Sequence, residues 1–291
     1  MAMRLYAISD LHLASDASFE RLDVLPDHPG DWLILAGDIA ETADGLGRAF
    51  AALATKFARL IWVPGNHELW TRGRSPAALR GGERYDSLVA LARRHGVATP
   101  EDPYPIWPGP GGEHAIAPLF LLYDYSFRPA ELPIEEVVAW AAEESAVCAD
   151  ELLLYPDPYP TRQDWCQARI EATARRLAAL PAGLPTILVN HYPLRRDLVR
   201  IPRIPRFSPW CGTVLTEDWH RRFRAAVAVS GHLHVRHTDW RDDTRFEEVS
   251  LGYPYQWEQA YGIGAYLREI LPGPPEPAPS VRASGQRAGP R

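Results

Sequence analysis

Asp10-Leu11-His12 sets two metal-binding residue types two positions apart, so an extended backbone points both to the same side. Asp38 follows after 28 residues and Asn66 after another 28, in Gly37-Asp38 and Gly65-Asn66-His67. Asn190-His191 and Gly231-His232-Leu233-His234 complete the series. Two carboxylates, an amide oxygen and four imidazoles make a mixed nitrogen and oxygen set for two first-row divalent ions. Mn, Fe or Zn suits such a set better than Ca. A carboxylate can bridge two ions, which brings them to the ~3.5–4 Å separation used in two-metal phosphoester chemistry. Asp10, His12, Asp38, Asn66, His191, His232 and His234 are therefore the candidate ligands, with His67 beside them. One Asp-x-His or Gly-Asp alone is ordinary turn chemistry. Five such clusters, each behind an apolar run, point to one site.

Those runs are the elements that must position the clusters. Leu5–Ser9, Trp32–Ala36, Leu60–Val63, Thr186–Val189 and Ala226–Ser230 are short, apolar and rich in β-branched or aromatic residues, which predicts buried strands. Each delivers its polar cluster at the C-terminal end, and in parallel sheets such ends converge on one crevice. From Glu41 to Ala58, Leu46, Phe50, Leu53, Ala54 and Phe57 recur at helical spacing and supply the crossover between the second and third strands. Further helices are expected over Thr71–His95 and Gln167–Leu180. Tyr104–Trp107 and Ala115–Tyr123 would pair as a hairpin, followed by a helical stretch over Ile134–Leu153. Together, roughly residues 100–165 read as an elaboration over the strand ends. One domain is expected over residues 1–271. Residues 272–291 are too rich in Pro and Gly to offset their ordering entropy, and disorder is expected there.

Composition narrows the function classes. The 31 Lys and Arg stand against 37 Asp and Glu, a formal net charge of -6, which argues against a nucleic-acid coat or a polybasic membrane binder. Cys148, Cys166 and Cys211 are odd in number and never close enough for a Cys-x-x-Cys pair, which argues against a disulfide framework or a thiolate zinc site. No apolar run reaches the ~18 residues of a membrane span, and no export signal opens the chain. The expectation is a cytoplasmic protein with no membrane partner.

Asp10-x-His12, Gly37-Asp38-x-x-Glu41, Gly65-Asn66-His67-Glu68, Asn190-His191 and Gly231-His232-x-His234, in this order, resemble the calcineurin-like metallophosphoesterase superfamily. The resemblance implies an α/β fold, a four-layer α/β/β/α sandwich with two metals at its strand ends. It also implies that Asp10, His12 and His234 hold one ion, that Asn66, His191 and His232 hold the other, and that Asp38 bridges both. His67 would stand outside the metals near the leaving group, as general acid. Glu41 and Glu68 read as carboxylates that orient neighbours or sit at helix starts. Asn190 stands where the family more often has Gly or Ser.

A narrower resemblance rests on Phe120–Phe127, Tyr159–Arg162, Trp210–Thr213 and Phe246–Pro254. These segments are similar to the actinobacterial phosphopantetheinyl hydrolases, which remove the 4′-phosphopantetheine arm from acyl carrier proteins. The resemblance implies a phosphodiesterase acting on an acidic carrier protein. The other readings are a phosphoesterase on another small substrate, such as a cyclic nucleotide, and a non-catalytic scaffold on the same fold; the scaffold would be expected to lack ligands.

Two features remain. Arg195, Arg196, Arg200, Arg203 and Arg206 follow His191 closely, against one intervening Asp197. They read either as an anion-binding or acidic-protein-docking loop or as solvated surface. Trp107, Tyr123, Tyr125 and Trp210 read either as lining of a substrate groove or as core.

Overall fold

The structure, a computed structural model, describes residues 2–73 and 78–273. Among the described residues ten strands form two sheets. The first contains β1 (Leu5–Ile8), β2 (His28–Leu35), β3 (Phe57–Trp62) and β10 (Arg268–Leu271), in the order β10-β1-β2-β3. The second contains β4 (Ile106–Trp107), β5 (His114–Pro118), β6 (Thr186–Val189), β7 (Ala225–Ser230), β8 (His237–Arg241) and β9 (Thr244–Glu248), in the order β4-β5-β6-β7-β9-β8. The pairs within β1-β2-β3 and within β5-β6-β7-β9 are parallel; β10, β4 and β8 each add to an edge antiparallel.

The inner strands are buried on both faces, and the two-residue period assigns the faces. Leu5, Ala7, Trp32, Ile34 and Ile61 meet Ile116, Ile187, Val189, Val227 and Val229 between the sheets. The alternate residues Tyr6, Ile8, Leu33, Leu35 and Trp62 belong to the larger outer cluster with Leu46, Phe50 and Leu53. The helices are α1 (Asp16–Asp23), α2 (Ala43–Ala54), α3 (Asn66–Leu69), α4 (Gly81–Arg94), α5 (Val137–Ala142), α6 (Asp150–Leu153), α7 (Arg162–Ala178) and α8 (Trp219–Arg222). The expected α/β sandwich, two sheets flanked by helices, is the fold found.

Several boundaries differ from expectation. The crossover helix α2 ends at Ala54, and Phe57 is the first residue of β3, buried there instead of on a helix face. The next long helix begins at Gly81, not Thr71; the backbone of Thr71 instead donates to Leu153 O at 2.9 Å. Helix α7 starts five residues before the expected Gln167 because the Thr161 side chain accepts from Asp164 N and caps it. The Ile134–Leu153 stretch is broken: Ser145 takes a positive φ of 60° and Ala146 N donates to Ala141 O, a helix-ending pattern that separates α5 from α6.

The hairpin forms, with Ile106 opposite Ala115 and Trp107 opposite His114, but it is not a cover. Its second strand runs parallel to β6, so the hairpin is one edge of the second sheet, and the chain leaves the strand at Pro118. The expected tail, 272–291, lies outside the described residues beyond Gly273. Among the described residues no helix is long and apolar enough to cross a membrane. The three cysteines are free and buried.

Candidate metal centre

The first sheet supplies Asp10 beyond β1, Asp38 beyond β2, and Asn66 and His67 at the start of α3 beyond β3. The second supplies His191 beyond β6, and His232 and His234 beyond β7. A parallel bridge between Ser9 and Ser250, with Ser9 N donating to Val249 O and Leu251 N to Ser9 O, draws the two sheets together at this end. All the sequence-expected ligands are therefore neighbours.

Their backbones turn sharply to converge. Asp10, His12, Asp38, His232 and His234 have φ of 55°, 45°, 55°, 72° and 53°, in the left-handed region that side chains rarely adopt. Glycines beside them make room. Gly37 has φ of 90°, and a Cβ there would meet the His191 ring; a Cβ at Gly65 would collide with the Asp38 carboxylate.

Asp10 is fully buried, and its two oxygens have different tasks. Oδ2 accepts from Ser9 Oγ at 2.5 Å, Ser250 Oγ at 2.8 Å and His232 N at 3.1 Å. Oδ1 faces His234 Nε2 at 3.1 Å and His12 Nε2 at 3.9 Å. The His12 and His234 Nε2 atoms are 3.1 Å apart. Asp38 Oδ1 accepts from His67 N at 2.9 Å, while Oδ2 stands 3.5 Å from His191 Nε2 and 3.7 Å from His67 Nε2. Ligand-type atoms thus cluster as Asp10, His12 and His234, as Asp10, Asp38 and His191, and as His12, Asp38 and His67, each set within 4.8 Å.

The imidazoles are oriented from behind. His191 Nδ1 donates to Ala36 O at 2.9 Å, and His234 Nδ1 donates to Gln256 Oε1 at 2.8 Å, which leaves both Nε2 atoms facing the centre. Glu68 accepts from Asp38 N, Ile39 N and Gly65 N at 2.9, 2.6 and 2.9 Å, so one carboxylate holds the turn of Asp38 against that of Asn66.

Whether this chain fits two metal ions can be judged from its own atoms. Asn66 Oδ1, His191 Nε2 and His232 Nε2 are buried and have no hydrogen-bond partner among the described residues. Leaving a buried polar atom unpaired costs ~1–3 kcal/mol. Three together are poorly explained as packing and well explained as ligand atoms; the residues present fit the pair of ions.

The electrostatics agree. Burial, then the neighbouring His67, push His12 down to about 3. Burial, then His191, do the same to His232, also to about 3. Burial would lower His191 as well, but the Asp38 and Asp10 carboxylates carry it up to about 10. Burial works to raise Asp10 and Asp38; their histidine neighbours prevail and hold both below the ordinary carboxylate range. Burial and the nearby Asp38 push Glu68 up to about 8, with the Ile39 and Gly65 amides pulling the other way.

His67 lies against this cluster. Its Nδ1 is 3.1 Å from Glu41 Oε1, and Arg72 holds the other Glu41 oxygen at 2.7 Å. The centre opens into a cavity of about 300 Å³ that His67 also lines. Its lining includes the apolar Val147, Ile201, Ile204 and Leu233 together with Tyr253 and Tyr255; no Lys or Arg among the described residues lines it. The His12 and Tyr253 rings stack at 4.4 Å.

The expected substrate contacts fall elsewhere. Tyr123 and Tyr125 are buried core residues outside this cavity, as are Trp107 and Trp210, because their rings pack among other aromatics. Arg195 pairs with Asp197 at 2.8 Å, Arg200 with Asp239 at 2.5 Å, and Arg206 with Glu143 and Glu144 at 2.6 and 3.0 Å. Arg196 and Arg203 do not line the cavity either. What this loop gives the cavity is Ile201, Ile204 and Phe207. Sequence reasoning missed these, together with Gln256, Tyr255 and Asp150, since no spacing marks them.

Two sheets with a histidine and carboxylate cluster at their joined strand ends define a metal-dependent phosphoesterase fold, and the chain belongs to the calcineurin-like phosphoesterase family, whose model matches residues 3–236. That family uses a dinuclear metal centre. The chain is 48% identical over 272 residues to the acyl-carrier-protein phosphodiesterase PptH of Mycobacterium tuberculosis, which covers 93% of this chain and 84% of that relative. The crystal structure of the phosphopantetheinyl hydrolase PptH from the same organism superposes with a TM-score of 0.87, covering 94% of this chain and 97% of that one.

Proposed function

We propose that this protein is a dinuclear metal-dependent phosphodiesterase that removes 4′-phosphopantetheine from holo acyl carrier proteins. The observation that carries the metal-dependent reading is the trio of unpartnered buried atoms, Asn66 Oδ1, His191 Nε2 and His232 Nε2, beside Asp38. We assign Asp10, His12 and His234 to one ion and Asn66, His191 and His232 to the other, with Asp38 between them. The mixed oxygen and nitrogen donors suit Mn, Fe or Zn.

When bound, two such ions supply Lewis acidity at the phosphoryl oxygens and make water nucleophilic near neutral pH. The chain's own residues do the rest. We assign His67, which lines the cavity with Nε2 3.7 Å from Asp38 Oδ2, as the general acid, its ring oriented by Glu41 Oε1 3.1 Å from Nδ1. The leaving group would be the serine oxygen of the carrier, a poor one, so protonation by His67 lowers the barrier.

The cavity supports the choice of substrate. A polyanion calls for cations beyond the two metals, and no Lys or Arg among the described residues lines this cavity. A single diester charge followed by an uncharged arm suits a lining that includes Val147, Ile201 and Ile204. Arg195, Arg200 and Arg206 are already ion-paired, so recognition of an acidic carrier rests on the arm more than on that loop. The test is intact-mass analysis of a cognate holo carrier protein incubated with enzyme and Mn²⁺. Conversion to the apo form supports the proposal. Turnover of a nucleotide panel with no action on the carrier overturns it.

A further inference from the structure

One carboxylate from the segment between β5 and β6 reaches the metal centre. Asp150, the first residue of α6, is fully buried. Its Oδ1 accepts from Asn66 Nδ2 at 2.9 Å and from Trp70 Nε1 at 2.6 Å. The other end of the same amide, Asn66 Oδ1, is the unpartnered atom described above.

An asparagine amide can turn over, exchanging its oxygen and its NH₂ with almost no change of shape. Only one of the two orientations offers a metal an oxygen. Something must hold the NH₂ edge, and a carboxylate oxygen, which accepts, selects that orientation. The same Oδ1 anchors Trp70, whose ring lies 3.7 Å from that of His67. One atom therefore bears on a ligand and on the proposed general acid.

Asp150 is not needed merely to pin its segment. Its backbone carbonyl accepts from Arg162 at 2.6 Å. The adjacent Glu151 ties Tyr125 and Trp210 at 2.7 Å each and Arg162 at 2.9 Å. The segment has its anchors, and the Asp150 side chain is directed elsewhere.

We propose that Asp150 is a positioning residue for the metal centre: it fixes the Asn66 amide with its oxygen toward the metal side. This rests on the reading of Asn66 as a ligand. Because Val147 and Ala149 of the same segment wall the cavity, the element that shapes the substrate side also sets the metal side.

The test reads metal content instead of turnover. Wild type, Asp150→Asn and Asp150→Leu are reconstituted with excess Mn²⁺, desalted and measured by elemental analysis, with chelator-driven release followed over time. Trp70 Nε1 and Asn66 Nδ2 donate to the same atom, so an amide at 150 keeps its oxygen toward both and still selects the orientation; Asp150→Asn is expected to keep two ions. Asp150→Leu removes the acceptor, and it is expected to fall from two ions per chain to one and to release metal ~10–100-fold faster, the range for losing such an orienting partner. A purely structural Asp150 would give lower unfolding temperatures with two ions retained in Asp150→Leu, and that result overturns the proposal. Should Asp150→Leu fail to fold, Asp150→Asn/Trp70→Phe decides: without the Trp70 donor the amide at 150 can turn its NH₂ toward Asn66, so faster metal release supports the proposal and release at the wild-type rate overturns it. A wild type that takes up no metal would instead sink the dinuclear reading itself.

Discussion

Asp38 Oδ2 lies 3.5 Å from His191 Nε2, and that contact joins the end of β2 in one sheet to the end of β6 in the other. Asp10 and His234 repeat the arrangement at 3.1 Å. Ions held by these pairs would therefore fasten the sheets to each other. Ligand bound at 100 times its Kd contributes about 2.7 kcal/mol of stability. At ~2–4 °C per kcal/mol for a domain of this size, chelation is expected to lower Tm by about 5–10 °C. Differential scanning calorimetry with and without chelator checks this, and equal Tm values would count against the centre.

Asp38→Asn is expected to lose both ions, since Asp38 is placed between the two sets of ligands. Asn66→Ala is expected to lose one. Circular dichroism should remain that of the folded protein in both, and elemental analysis supplies the count. Equal stoichiometry in the two variants would remove Asp38 from its bridging position.

His67→Ala is expected to keep both metals and to lower kcat by ~10²–10⁴ on an alkyl phosphodiester, the range for losing a general acid. A nitrophenyl leaving group needs less help and should suffer less. Loss of metal from the variant would assign His67 to coordination, in keeping with its 3.7 Å distance from Asp38 Oδ2.

Metal binding should release protons. His191 is carried up to about 10 chiefly by Asp38 and Asp10 against its burial, so at pH 7 without metal it is charged. A ligand must be neutral, so the ion displaces about one proton from it, and affinity rises as pH rises toward 10. The stability that the charged His191 lends the metal-free protein has the opposite sign: present below its ordinary 6.5, lost as pH rises through about 10. Calorimetric titration in buffers of different ionisation enthalpy measures the proton count, and a count of zero would refute the assignment.

The apolar wall should be felt only by substrates that carry an arm. Ile204 is 44% exposed, so Ile204→Ser should leave the fold intact. It is expected to reduce kcat/KM on holo carrier by ~10-fold or more, the effect of one hydrophobic contact, and to leave bis(p-nitrophenyl) phosphate unchanged. A parallel fall on both would place Ile204 outside the arm's path.

Much of the candidate centre was legible because its proposed ligands sit on the residues that end strands. Asp10, Asp38, Asn66, His191, His232 and His234 each follow an apolar run within a few positions, and parallel pairing does the rest. Asp150 meets Asn66 across 84 residues, and Gln256 meets His234 from a turn beyond β9, so no local spacing could announce them. Tyr123 and Tyr125 illustrate the converse. An aromatic pair in the loop beyond β5 carries no information about whether it faces the cavity or the core, and these two are buried in the core. The pairing of the loop arginines was hidden for a related reason: their charge was visible, while Asp239, Glu143 and Glu144, which answer Arg200 and Arg206, come from distant segments.

The positive φ of Asp10, His12, Asp38, His232 and His234 bears on how this protein can change over generations. At each of these positions the backbone would be more comfortable with glycine, by roughly 1 kcal/mol or more. Exchange for glycine would relieve that strain, but at Asp10 it would also strip Ser9, Ser250 and the His232 amide of their acceptor, and at Asp38 the His67 amide of its own. The strained turns therefore persist only where the side chain's own bonds, or an ion it holds, outweigh what glycine would save.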